Sequence, residues 1–390
     1  MNRRHIFLVV LIMLLANGVL FAQAVTMTPA SQQQALQKAL LQYQSIINTG
    51  TWLAFPEDLC VQPGAQDKFV PKVRNLLCLT QDLTQCATQD SSFFDEHLVA
   101  AVKRFQKRHG LPADGIIGCR TLTALNVSPA QRVQQIMVNL ARWQDSAYAV
   151  TTYPLVLVNI PDYRLHLLNN QAQTIWQTRV IVGQRTKALQ TRQVNSRISY
   201  LVVRPTWNVP KSIIKNEIIP AVRRDRNYLA KNHMALYKDG KRRQVQVSVS
   251  SIHWKTVNPE DLTVIQSPGS WNALGKVKFI FHNPFHIYLH DTPVKSLFDH
   301  PVRAYSHGCV RVEQPEKLAA YLMNPDWGKP SSFSLQAQKG INGTVFLPKP
   351  VAVQIRYFTC WVDGQGVLQF RDDIYGLDTI QQLTVAPTLD

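Results

Sequence analysis

The hydrophobic pattern changes period along the chain, and the change divides it. Gln32 to Ile46 reads as an amphipathic helix, and Val70 to Leu79 keeps helical spacing. Asp82 to Asp90 is polar and turn-like. Asp95 is placed to cap a helix that carries Leu98, Val102 and Phe105 on one face, and Gly110 ends it as a left-handed residue would. Asp114-Gly115 reads as a turn, and Thr121 to Leu125 as a short helix. From Tyr153 the texture becomes that of strands. Leu155 to Pro161 and Arg164 to Leu168 are followed by an Asn169-Asn170 turn, and Thr178 to Val182 is the third strand. Ser199 to Val203 and Val277 to Phe281 look similar. Between Lys211 and Asn258 the pattern breaks: Ser212 to Leu229 is helical and charged, and Val245 to Val249 alternates. These patterns predict an α+β chain. A helical region spans 25–145, a mostly β domain spans 150–375, and a tail spans 376–390. The β domain carries a helical insertion at about 211–262, placed to act as a lid.

The N-terminus has a different character. Asn2 to His5 is basic, Ile6 to Ala16 is unbroken apolar, and Ala22-Gln23-Ala24 supplies the small residues of a cleavage site. This predicts a secretory signal over 1–24, cut after Ala24. The Asn17-Gly18 break leaves the apolar run shorter than the roughly 20 residues of a spanning helix. The expectation is therefore an exported protein of the periplasm or cell envelope, with no integral span once the signal is removed.

Composition sharpens this. Of 390 residues 45% are hydrophobic, which excludes general disorder. The chain carries 42 basic and 25 acidic residues, net +17. Loss of Arg3 and Arg4 with the signal leaves +15, so the excess belongs to the mature chain. Such a surface favours an anionic partner, and export makes nucleic acid a poor one. Six cysteines form no C-x-x-C pair. Cys60, Cys78, Cys86 and Cys119 lie in the helical region and allow two bridges in three connectivities. Cys78–Cys86, across a short polar loop, is favoured and leaves Cys60–Cys119. Cys360 is expected to be buried and unpaired.

The densest chemistry lies in HIYLHDTPVKSLFDHPVRAYSHGCVRVE, His286 to Glu313. Ser306-His307-Gly308-Cys309 puts a thiol directly after a glycine, whose backbone can approach a ligand closely. Consecutive N–H groups there can form an oxyanion hole. A thiol becomes a good nucleophile once deprotonated by a neighbouring base or cation. His290, at the end of the alternating segment Ile287 to His290, lies 19 positions before Cys309 and can return to meet it. Asp291 can orient that ring through its carbonyl or its side chain.

Two rival chemistries fit less well. His282, His286 and His290 have helical i, i+4, i+8 spacing for zinc, but Pro284 and the aromatic residues favour a strand. On a strand they would spread over about 26 Å, too far to share a metal, so no metal or cofactor is called for. Ser212 to Lys215 matches S-x-x-K, without the accompanying S-D-N or K-T-G of serine acyltransferases. A buried structural thiol is the plain alternative for Cys309, and Gly308 with its polar neighbours argues against it.

Two resemblances follow from quoted runs. FDEHLVAAVKRFQKRHGLPADGIIGCRTLTALN, Phe94 to Asn126, resembles the peptidoglycan-binding helical module, with its pattern A-V-K-x-F-Q-x-x-x-G-L-x-x-D-G-x-x-G-x-x-T-x-x-A-L. The module is placed at about 91–127, and Cys119 is its departure from the pattern. His290, fifteen residues, then Ser306-His307-Gly308-Cys309 and Arg311 resemble the signature of the L,D-transpeptidases, with their YkuD-type catalytic domain. Arg204 to Pro210, Ser267 to Gly275, and DGQGVLQFRDDIYGLD are similar to the large periplasmic branch of that family. Glu313 departs from the asparagine often found there.

The resemblance implies Cys309 as nucleophile, His290 as general base and Asp291 as its orienting partner. It implies an oxyanion hole from the backbone of His307, Gly308 and Cys309 within the Ser306–Cys309 loop. Arg311 would support the site or bind a carboxylate, and Tyr288 and Trp207 would line the substrate groove. The implied substrates are peptidoglycan stem peptides, and carbapenem-type β-lactams are the implied inhibitors. A wall-binding protein with an inactive catalytic domain, or an L,D-carboxypeptidase, is the alternative.

Overall fold

The computed structural model describes residues 25–379, except for 53, 87–91, 146–151, 240–243, 325, 327–328 and 335–342. The expected signal segment, part of the polar 82–90 stretch and most of the expected tail lie outside the described residues.

The N-terminal part is helical: α1 (Pro29–Thr49), α2 (Val70–Leu79), α3 (Glu96–Arg108), α4 (Cys119–Asn126) and α5 (Pro129–Gln144). Local signals set the ends. The Asp95 carboxylate accepts the Leu98 N–H at 2.8 Å and opens α3. Ser128 and Gln131 form a reciprocal capping box that starts α5, a helix the pattern reading had not singled out. Gly110 has φ +69, and a Cβ there would meet the Arg371 side chain. The glutamine of the module pattern is structural. Gln106 donates to Asp114 Oδ1 and the Ile116 carbonyl and accepts the Gly115 N–H, so it holds the Asp114-Gly115 turn shut. Cys78 and Cys86 are bridged, as favoured. Cys60 and Cys119 are exposed and free, which corrects the second bridge. Their segments meet instead through backbone hydrogen bonds between Val61 and Ile117. Cys360 is buried and unpaired.

The second part is mostly strand: β1 (Leu155–Asn159), β2 (Arg164–Leu168), β3 (Thr174–Gly183), β4 (Val194–Val203), β5 (Trp207–Asn208), α6 (Lys211–Ile213), a π turn at Ile214–Ile218, α7 (Ile219–Arg224), α8 (Tyr228–Lys231), β6 (Met234–Asp239), β7 (Gln244–Gln246), β8 (Leu262–Gln266), β9 (Val277–Phe281), β10 (Leu289–His290), β11 (Ala304–Ser306), β12 (Val310–Val312), α9 (Pro315–Leu322), β13 (Gly343–Arg356), β14 (Cys360–Val362) and β15 (Leu368–Phe370). The main sheet runs β11-β3-β12-β10-β9-β4-β13-β1-β2, and β2 pairs again with β3, so the hydrogen-bonded ring closes. Val156, Val158, Leu165, Val180, Phe279 and Val310 fill its interior. On β1 the alternate residues Leu155 and Leu157 face the other way, into a core shared with α1, α5, β14 and β15. Both faces of β1 are therefore covered, which is why its five residues are all buried rather than alternating.

The insertion is larger and more mixed than expected. It carries its own four-stranded sheet, β5-β8-β6-β7, beside the helices. Ile214, Ile218 and Val222 make one apolar helical face, and Leu236, Leu262, Val264 and the fully buried Trp254 cover it. A helical face that apolar needs a partner, and alternating strand positions supply it.

Candidate active site

Three neighbouring strands build the site. β10 pairs β12 in parallel, with Leu289 opposite Val310 and His290 opposite Arg311. It pairs β9 antiparallel, with His290 opposite Lys278. Side chains alternate along strands. Leu289, Val310 and Phe279 point into the core, so Tyr288, His290, Lys278, Cys309 and Arg311 share the other face. The expected strand over Ile287–His290 shrinks to Leu289–His290. Asn283 explains this: its side chain binds the Phe281 and Ile287 carbonyls and the Ile287 N–H, closing a loop between β9 and β10. His282 and His286 belong to that loop, not to one continuous strand with His290.

His290 is buried. Its Nδ1 donates to the Asp291 carbonyl at 2.5 Å, since a carbonyl only accepts. That fixes the tautomer and leaves Nε2 as the acceptor nitrogen. Burial, and next the Arg311 charge, push its pKa down to about 3, so the ring is neutral. Of the two routes open to Asp291, the backbone carbonyl is the one that orients the ring. Its carboxylate faces elsewhere, accepting the Lys276 N–H at 2.8 Å and the Lys295 ammonium at 2.6 Å. Gly275 makes room for it: a Cβ there would lie 2.3 Å from Asp291 Oδ2, and φ is +59.

Cys309 follows Gly308, whose φ of +113 few L residues adopt. The thiol donates to the His286 carbonyl at 3.9 Å, and Tyr288 beside it pulls its pKa down. His290 is not among its hydrogen-bond partners within the described residues. Burial raises the Cys309 pKa above the ordinary thiol value, against the opposing pull of Tyr288, Arg311 and Lys278. Burial likewise raises the Tyr288 phenol. The resting pair is therefore a neutral thiol and a neutral imidazole. Tyr288 also lines a cavity of about 500 Å³ with Tyr200, Ile280 and His286.

The loop before Cys309 is tied from several sides. Ser306 Oγ donates to the Cys309 carbonyl at 2.5 Å and accepts the Gly308 N–H at 3.2 Å. The Gly308 N–H, one of the three expected oxyanion-hole donors, is thus engaged by Ser306 in this resting arrangement. Thr191 Oγ1 donates to the Gly308 carbonyl at 2.9 Å and accepts the Gly183 N–H. Tyr375 donates to the Gly183 carbonyl and accepts the Thr191 N–H, linking the C-terminal run to the nucleophile loop. His307 meets Glu217 of the lid, Nε2 to Oε1, at 2.7 Å. Arg311 is partly buried, and its pKa is lowered by that burial while Cys309 and Glu217 pull it up. Glu313 forms a two-pronged ion pair with Arg179, which occupies its carboxylate.

Trp207 is the residue the structure does not bring to this face. It sits in β5 opposite Gln266 and packs against the lid's own core. Lys278, Thr191 and Glu217 were missed. Lys278 had a signal, a lone charge inside the apolar run Val277 to Phe281. Thr191 and Glu217 had none, because their contacts join segments remote in sequence.

Residues 153–347 match the YkuD family model, described as the L,D-transpeptidase catalytic domain, and the chain belongs to that family. Residues 79–125 match a second model, described as "Putative peptidoglycan binding domain", so this member carries a helical module ahead of the catalytic domain. A curated protein of Haemophilus influenzae named "Putative L,D-transpeptidase" is 32% identical over 226 residues. That covers 57% of this chain and 44% of the relative, so the chain spans less than half of that protein's length. A crystal structure of an L,D-transpeptidase (Yku) from Stackebrandtia nassauensis is 15% identical over 78% of this chain and 97% of that one, with a TM-score of 0.27. One from Xylanimonas cellulosilytica is 14% identical over 77% and 100%, with a TM-score of 0.21.

Proposed function

We propose that this protein is an L,D-transpeptidase of bacterial peptidoglycan, with Cys309 as nucleophile and His290 as general base. The observation that carries the reading is the shared strand face of Cys309 and His290, with the His290 tautomer fixed by the Asp291 carbonyl. Family membership sets the reaction class.

The donor is a stem tetrapeptide whose third residue is a diamino acid and whose fourth is D-alanine. As the donor binds, His290 Nε2 takes the Cys309 proton, and Sγ attacks the carbonyl carbon between residues three and four. The carbonyl oxygen becomes an oxyanion and receives the loop N–H groups of His307 and Cys309. The C–N bond then breaks, the imidazolium returns its proton to the leaving nitrogen, and D-alanine departs. A thioester remains. The side-chain amine of a second stem gives a proton to His290 and attacks the thioester carbonyl. The C–S bond breaks, the thiolate takes back the proton, and a 3→3 cross-link is formed. Arg311 attracts a stem carboxylate. Carbapenem-type β-lactams acylate the same sulfur. The basic surface and the helical module hold the enzyme to the anionic wall, and the N-terminal signal places it in the periplasm.

Incubation with a disaccharide tetrapeptide, followed by mass analysis of the products, tests this reading. A 3→3 dimer with free D-alanine is the expected result. Free disaccharide tripeptide without dimer makes the protein a carboxypeptidase. Binding to insoluble peptidoglycan with no product makes it a wall-binding protein.

A further inference from the structure

Lys278 is the second residue of β9, on the face it shares with the nucleophile, and it is partly buried. Its ammonium lies 5.8 Å from the centre of the Tyr288 ring, and Tyr288 in turn acts electrostatically on the Cys309 thiol. Lys276, Lys295 and Arg179 nearby are matched by the carboxylates of Glu316, Asp291 and Glu313, whereas Arg311 on the same face forms no ion pair among the described residues. Among the described residues Lys278 has no ion-pair partner of this kind. A partly buried cation without an anion is costly, and it becomes favourable when an anion forms beside it.

The groups that face it define which anion that is. From β10 they are the neutral His290 and the phenol of Tyr288. From β12 and its preceding loop they are Arg311 and the Cys309 thiol. From β4 the register partner is the apolar Val202, with Tyr200 one pleat away. Glu217 of the lid acts on Arg311 and is itself held by His307. Cys309 is therefore the group on this face that can become negative beside Lys278; burial lowers the Lys278 pKa and raises that of Cys309, and the attraction between the two charged forms opposes both shifts.

We propose that Lys278 is a positioning residue for the nucleophile, whose ammonium stabilises the Cys309 thiolate through space and so sets the pH at which the sulfur becomes reactive. This deepens the transpeptidase reading and rests on it only for the role of Cys309. His290 removes the proton; Lys278 makes its removal less costly. Two cations, Lys278 and Arg311, which the register places on either side of His290, then replace the thiolate–imidazolium pair that a neutral His290 cannot supply in the resting enzyme.

The test needs no stem peptide, so it fails separately from the functional reading. The full-length mature protein and its Lys278→Met, Lys278→Gln and Lys278→Arg variants are alkylated with iodoacetamide, a neutral probe, across pH 6 to 11. The rate is read at the Cys309 peptide by mass spectrometry, apart from the exposed Cys60 and Cys119. Circular dichroism establishes which variants are folded, and Lys278→Gln reports if Lys278→Met is not. Removal of the charge is expected to move the midpoint up by about one pH unit and to slow alkylation about tenfold on the rising limb. Lys278→Arg is expected to keep the midpoint. An unchanged midpoint in the folded neutral variants overturns the inference. An equal shift in Lys278→Arg also overturns it, because shape and not charge would then be responsible.

Discussion

Glu217 of the lid and His307 of the nucleophile loop meet at 2.7 Å, Oε1 to Nε2. They are 90 positions apart in sequence, and the contact joins the insertion to the motif that carries the thiol. Both side chains keep solvent exposure, 51% for Glu217 and 32% for His307. Such a contact contributes about 0.2–1 kcal/mol. It can tie the insertion to the nucleophile loop only weakly.

Glu217→Gln is therefore expected to speed amide hydrogen exchange over residues 211–224 by up to about fivefold. Exchange in β9 and β13 should stay unchanged. Equal protection of the lid in both proteins would show that the contact does not hold it.

The charge state of the resting pair gives a pH prediction. Burial raises the Cys309 pKa, and burial with Arg311 lowers that of His290 to about 3. Above about pH 4 the imidazole is neutral, so no imidazolium holds a thiolate at low pH. Alkylation of Cys309 should climb through the alkaline range, with no plateau between pH 4 and 7. A plateau there would reveal a preformed ion pair. The same depressed His290 pKa has a stability consequence. An unfolded histidine takes up a proton near pH 6.5, while the folded ring resists until about pH 3. The unfolded state binds more protons in that window, so folding stability falls as pH drops through it. The melting temperature should be lower at pH 4.5 than at pH 7.

Ser306 ties the loop through both its donor and its acceptor. Ser306→Ala frees the Gly308 N–H and leaves a buried carbonyl without its partner. A loss of about 1–3 kcal/mol in stability is expected, with a fall in kcat of about tenfold or more and little change in KM. Thermal melts and steady-state kinetics check the two parts. Unchanged kcat would remove Ser306 from the account.

The Cys78–Cys86 bridge closes a loop of sequence separation 8 at the end of α2. In the chain-entropy model such a loop is worth about 2.5 kcal/mol. The Cys78→Ala/Cys86→Ala double variant should lose about that much unfolding free energy, read from a lower urea midpoint. Turnover at 25 °C should be nearly kept, because the bridge lies in the helical region and not on the strands of the site.

How much of this was legible in the sequence depended on whether the signal was local. Val70–Leu79 and Val277–Phe281 match their elements end to end, because period and flanking residues fix them. Asp95, Gly110 and the Asp114-Gly115 turn were readable for the same reason. The return of His290 to the face that carries Cys309 was readable because the motif is compact. The β content of the lid was less so, since β5 and β7 are two and three residues long and exist only as partners of β8 and β6. Trp207, expected to line the groove, is half-buried against the core of the insertion and lies in its sheet rather than on the strands that carry Cys309 and His290. The commitment of the Gly308 N–H to Ser306, and the contacts of Thr191 and Glu217, depend on tertiary placement that no local pattern encodes.

The central claim is that Cys309 forms a thioester with the donor stem. Intact-mass measurement of the mature protein, mixed with disaccharide tetrapeptide and quenched in acid before an acceptor is added, tests it most directly. The expected result is a mass increase equal to the donor acyl group without its D-alanine, mapped to the Cys309 peptide and absent from Cys309→Ala. Cross-linked product from the Cys309→Ala protein, or an acyl group carried on any other residue, would contradict it.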